Sequence, residues 1–157
     1  MERTKKSILC ALVLILTSII CTACGVIEVR GKTFSYDSVE IDWGLATDED
    51  KQTIYEEFLV SNEAELLNVL KTRNNRDKRI TTFETNGTYI TINTDGEELD
   101  SGFYRQDNDI ISLSETEDGF SEENVYKLKA NDKGYQVSDK INSEFNVFAV
   151  YQYVVKD

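Results

Sequence analysis

Beyond Arg79 the chain is interrupted about every ten residues by a turn signal, and this spacing decides most of what it can fold into. The signals are Asn86-Gly87, Asp95-Gly96, Asp107-Asn108-Asp109, Asp118-Gly119 and Asn131-Asp132-Lys133-Gly134. Short runs around Phe103, Ile111, Tyr126 and Val137 lie between them, and a last run extends from about Phe145 to Val155. Runs of this length bounded by turn residues read as strands, and short turns make neighbours pair antiparallel. Asn86-Gly87 tolerates the positive φ angles of a two-residue hairpin turn. That register puts Phe83, Ile90 and Ile92 on one face and Ile80, Tyr89 and Thr91 on the other. The last run lacks clean alternation, which predicts that both its faces are covered, the outer one by helices.

The first half supplies those helices. Thr33 to Trp43 alternates with period two but changes phase between Tyr36 and Val39, as a strand with a bulge does. After Gly44 the period becomes helical: Thr47 and Asp50 form a capping-box pair, and Ile54, Phe58 and Leu59 share a face. Ser61-Asn62 opens a second helix carrying Leu66, Leu67 and Leu70. The pattern predicts helices over 48–59 and 62–72, within an insertion at 47–72, followed by a basic break from Lys71 to Arg79. Counting the first, about eight strands are expected. The fold class is mainly β, an antiparallel up-and-down meander closing into a barrel, with two short helices between strands 1 and 2.

The N-terminus reads as an address. Arg3, Lys5 and Lys6 precede a run from Ile8 to Ile20 broken only by Cys10, Thr17 and Ser18, a charged start followed by an apolar segment. Cys21-Thr22-Ala23-Cys24-Gly25 then resembles the lipobox of bacterial lipoproteins, in which a cysteine at the cleavage point is acylated. The resemblance implies a signal peptide at 1–23, lipidation of Cys24, a tether at 24–30 and a membrane-anchored, extracytoplasmic domain at 31–157. An uncleaved anchor is the other reading, since Ile8 to Ile27 has the length that spans a bilayer core of ~30 Å. All three cysteines fall in the first 24 residues, so an acylated Cys24 leaves a domain with neither free thiol nor disulfide.

Charge and composition exclude more than they suggest. Seventeen bases stand against 29 acids, with no His and no Pro. Without residues 1–23 the balance is 14 against 28, a net charge of -14. A nucleic-acid partner is not expected, because displacing counterions from a phosphate backbone takes clustered cations. The missing imidazole removes Ser-His-Asp and Cys-His catalysis and His-ligated zinc. From Asp95 to Asn124 eleven acids accompany the single base Arg105, and this run is expected on turns at one side of the barrel, facing away from the membrane.

Thr82-Phe83-Glu84-Thr85-Asn86-Gly87-Thr88-Tyr89, followed by Gly102-Phe103-Tyr104 and by Asp107-Asn108-Asp109 leading into Ile110 to Leu113, resembles the lipocalin-like domains of small bacterial lipoproteins. The resemblance implies a calycin-type barrel over roughly Gly31 to Lys156 and assigns no catalytic residue and no single ligand.

Trp43, Phe83, Phe103, Tyr126, Phe148 and Tyr151 are the candidates to line a pocket, or else to fill the interior, as small barrels require. Asp107, Asp109, Glu115, Glu117 and Asp118 are the best cluster for a hard cation, but they lack EF-hand spacing and also read as a solvated surface. Paired carboxylates could serve glycoside hydrolysis, though any chain this acidic offers many pairs. There is no phosphate loop, nucleophile elbow or dinucleotide fingerprint. The expectation is a non-enzymatic module without cofactor that binds a small apolar or amphipathic ligand. The alternative is an interaction or inhibitor module whose acidic loops meet a basic envelope protein. A cavity of a few hundred Å3 favours the first, and a filled barrel with an acidic face the second.

Overall fold

The computed structural model describes residues 25–121, 125–142 and 144–156. The apolar leader and Cys24 lie outside the described residues. Eight strands follow one another around a closed antiparallel barrel: β1 (Lys32–Asp42), β2 (Ile80–Phe83), β3 (Thr88–Ile92), β4 (Glu98–Asp107), β5 (Ile110–Ser114), β6 (Tyr126–Ala130), β7 (Gly134–Asn142) and β8 (Val147–Val155). Between β1 and β2 stand α1 (Asp48–Glu57), α2 (Glu63–Thr72) and a strap of 3-10 turns at Arg73–Lys78. Fold class, strand number and the place of the helices in the chain order, between the first two strands, are those the sequence predicts. Among the described residues no helix is long and apolar enough to cross a membrane.

Local signals act where they stand in the chain. Thr47 accepts from the Asp50 amide while the Asp50 carboxylate takes the Thr47 amide, the reciprocal cap that starts α1. Asn62 caps α2 through the Glu65 amide. The register of β1 against β8 slips between Tyr36 and Ser38, the bulge that the change of phase requires.

The β2–β3 hairpin departs from the expected register. Phe83 pairs with Tyr89 and Thr81 with Thr91, so those four point inward while Ile80, Ile90 and Ile92 are half-buried on the outer face. The Gly87 amide closes a turn on the Glu84 carbonyl, and Gly87 itself carries φ +90°. The loop therefore holds three residues with glycine in the bulge position, not two. One extra residue in a turn exchanges the faces of the strand it feeds.

The helices also sit elsewhere than expected. They do not cover the outer face of β8. The inward-pointing Tyr151 instead donates to the Leu70 carbonyl at the end of α2 (3.1 Å), and Tyr153 donates to the Arg76 carbonyl in the strap (3.2 Å). The α2–strap segment thus lies over one mouth of the barrel, where the segments 93–97, 114–121 and 144–147 also emerge. Leu66 and Leu70 are fully buried beneath it.

Residues 27–31 cross the opposite mouth. The Ile27 amide bonds to Asn131, Gln106 grips the Val29 amide and the Ile27 carbonyl, and the Gly31 amide reaches Phe83. Val29 is fully buried there. Part of the expected tether is therefore docked against the barrel.

Candidate functional site

The interior is filled by aromatic side chains that sheet alternation aims at one another. Phe83 meets Phe34 (5.7 Å between centroids), Tyr104 (4.9 Å) and Tyr135 (5.8 Å), each edge to face. Tyr135 in turn stacks on Tyr153 at 5.0 Å. A space of about 40 Å3 lies under the strap, lined by Arg76, Arg79, Thr81, Thr91, Asp100 and Tyr135 together with the aliphatic Leu113, Leu128 and Val137. It is far smaller than the several hundred Å3 usual for a small-molecule pocket.

Arg76 is the best anchored of these residues. Its Nη2 lies 2.6 Å from Asp139 Oδ2, its guanidinium stacks 5.1 Å from the Tyr151 ring, and its side chain is 12 % exposed. Burial opposes its charge, but Asp139 more than compensates and holds it protonated beyond the usual arginine range. Burial raises the Tyr135 and Tyr153 phenols, and Tyr153 donates to the Arg76 carbonyl. Thr81 and Thr91 share a hydrogen bond of 2.9 Å across the β2–β3 ladder. Asp100 accepts from Tyr89 at 3.1 Å from the exposed rim. The Nε atoms of Arg76 and Arg79 are buried and find no partner among the described residues.

The six aromatic candidates are scattered. Phe83 and Tyr151 are fully buried inside the barrel. Tyr126 pairs with the inward Leu113 but stands at the rim of the strap mouth, 48 % exposed, 3.5 Å from Asp139. Phe103 and Phe148 are half-buried on the outer face, the latter beneath the Lys140 ammonium. Trp43 lies outside the barrel, edge-on to Tyr55 of α1 and bonded to Glu63 of α2. Phe34, Tyr89, Tyr104, Tyr135 and Tyr153, which sequence reasoning did not single out, fill the interior together with Phe83 and Tyr151. Their signal was present as register, since each pairs with another buried residue across a ladder.

The acidic cluster is divided. Asp107 and Asp109 flank the β4–β5 turn at the mouth crossed by residues 27–31, whereas Glu115, Glu117 and Asp118 follow β5 at the strap mouth. The acidic run therefore does not lie on one side of the barrel, because β5 carries the chain from one end to the other in its middle. Among the described residues no group of three or more acidic or cysteine side chains converges as a metal site.

Charge is nonetheless strongly segregated. Residues 42–79, 93–100, 114–121, 139–142 and 144–147 at the strap mouth carry 18 acids against 7 bases. Residues 25–32, 84–87, 107–110, 129–134 and 155–156 at the other mouth carry 5 of each. An open groove of about 600 Å3 lies at that second mouth, beside Glu28, Arg30 and Arg105.

The fold defines the chain as a closed eight-stranded antiparallel up-and-down barrel. No model of a known family matches it, and neither curated proteins nor solved structures gave a match.

Proposed function

We propose that the protein is an extracytoplasmic lipoprotein with a lipocalin-like barrel, held through acylated Cys24 and working as a non-enzymatic interaction module. The observation that carries this reading is the pairing of a filled interior with segregated charge: about 40 Å3 of internal space, and 18 acids against 7 bases at the strap mouth. A barrel without a ligand-sized cavity acts from its outside. A concentrated negative field attracts a basic partner and accelerates encounter with it.

The tether gives the field a direction. Residues 27–31 are bound across one mouth, so a lipid on Cys24 would hold that mouth against the bilayer. Its balanced charge suits an anionic membrane surface, whereas the acidic mouth would be repelled and point outward. The partner implied is a basic envelope protein. The apolar-ligand reading draws support only from the barrel architecture, because the interior that would hold such a ligand is occupied by Phe83, Tyr135 and Tyr153.

The test is site-specific photocrosslinking in intact cells, with the probe at Glu117 or at Lys133. The reading expects one basic protein captured from Glu117 and not from Lys133, with capture falling as salt rises. Equal capture from both sites, or none from Glu117, overturns it. Lipid labelling tests the anchor separately: Cys24→Ala should abolish labelling and leave the precursor uncleaved.

A further inference from the structure

We infer that Leu45 and Leu59 are the two apolar anchors of a docking surface along α1, and that its occupant is a basic segment of a partner protein with apolar side chains among its cations. The inference rests on the proposed reading of the acidic mouth and narrows it to one surface and one kind of partner. Leu45 stands 99 % exposed in the turn between β1 and α1, and Leu59 stands 93 % exposed in the turn between α1 and α2. Leu59 also carries φ +56°. Its amide bonds to the Glu56 carbonyl and the Val60 amide to the Tyr55 carbonyl, the helix-ending pattern whose left-handed position glycine usually takes. A leucine there strains the backbone and holds an apolar side chain in water, and its exposure leaves little packing to offset either.

The charge around the two leucines decides the occupant. Residues 42–65 carry eight acids against the single base Lys51, whose ammonium is already held 3.2 Å from Asp48. Glu56 and Glu57 close α1 with no base in its last turn, so two carboxylates meet the negative end of the helix dipole. A cation brought by a partner relieves both repulsions, beside Leu59. A second copy of this chain would set the same acids against each other, and an anionic bilayer would repel them, so neither suits these leucines. The ten residues of α1 span about 15 Å between the anchors. That distance matches about ten residues of a partner helix or five of an extended strand. Glu49 and Glu56 lie on the exposed face of α1 between the two leucines, where the cations of such a segment would rest.

The test places a photocrosslinking probe at Gln52, exposed on α1 between the anchors, in the full chain in intact cells, with a probe at Glu117 as the reference for the acidic mouth. The expected product at Gln52 is joined through a segment of the partner in which Lys or Arg alternates with apolar residues. Leu45→Ser with Leu59→Ser should reduce that capture at least about tenfold and leave its salt dependence in place. Glu49→Gln with Glu56→Gln should instead flatten the salt dependence. Leu59→Gly should weaken capture without lowering the thermal unfolding midpoint, because glycine accepts the left-handed backbone, and this separates a lost contact from a lost fold. Capture at Glu117 with none at Gln52, or equal capture with and without the leucines, overturns the inference and leaves the broader reading standing. Absence of capture from both sites overturns both. Crosslinks from Gln52 to a second copy of the chain or to lipid overturn the inference as well.

Discussion

Tyr135 and Tyr153 face each other across the β7–β8 ladder and stack with centroids 5.0 Å apart and planes 11° from parallel. The pair sits where a lipid-binding barrel would keep its lumen, between Phe34 on one side and the strap on the other. Tyr135→Ala should therefore act as a core truncation and cost about 3–5 kcal/mol. Tyr153→Phe, which loses only the bond to the Arg76 carbonyl, should cost about 1 kcal/mol. Urea unfolding of both variants checks the contrast, and equal effects would mean that the ring stack is not part of the core.

Gly134 marks the close approach of the same two strands. A Cβ there would run into the Tyr153 carbonyl, which is backbone and has little freedom to give way. Gly134→Ala should push β7 from β8 and cost about 1–3 kcal/mol, read from the same unfolding curves. Gly87→Ala differs in cause, because open space surrounds it and only its φ of +90° resists the change.

Asp139→Asn should loosen the strap. The substitution leaves the largely buried Arg76 guanidinium without its counter-ion, and a destabilisation of about 1–3 kcal/mol is expected because Asp139 itself is 31 % exposed. Amide exchange should speed up at Arg76 to Arg79 and not in the β4–β5 turn. Uniform acceleration across the barrel would contradict a local strap.

How much of this was legible in the sequence differs from residue to residue. Thr47 with Asp50, and the change of phase after Tyr36, act through neighbours a few positions away, so the cap and the bulge could be read directly. Asn86-Gly87 marked the turn but not its length, and the missing residue exchanged the faces of the hairpin. Phe103 and Tyr104 are adjacent aromatics, so hydrophobicity cannot choose between them. The choice falls to Tyr104 because its hydroxyl finds the Glu84 carbonyl at 2.8 Å while Gly102 clears room beside Tyr89. Arg76 looked like one cation in a basic loop. Its inward course depends on Asp139, 63 residues away, and no local pattern encodes that.

Alkali should unfold the protein through its tyrosines. Burial raises the phenols of Tyr89, Tyr135, Tyr151 and Tyr153, with Tyr151 pushed up to about 12. Above pH ~10 the unfolded chain has given up these protons while the folded chain keeps them, so stability falls as pH rises. The contribution is complete below pH ~10. It is lost for Tyr151 by about pH 12, at a slope near 1.4 kcal/mol per pH unit for each phenol inside its window. Phenolate absorbance followed together with circular dichroism should show part of the tyrosine ionisation coinciding with loss of the sheet signal. Titration of all eight tyrosines in one step near pH ~10, with the fold intact, would contradict buried phenols.

A lumen filled by Phe83, Tyr135 and Tyr153 leaves no room for an apolar ligand. Native mass spectrometry of the full chain, extracted from its own membrane in mild detergent, tests this most directly. The expected spectrum shows the polypeptide, with its lipid where Cys24 is acylated, and no further adduct, and the same polypeptide mass after denaturation. A stoichiometric adduct of several hundred daltons, released when the chain unfolds and lost in a variant with a disrupted lumen such as Tyr135→Trp, would contradict it.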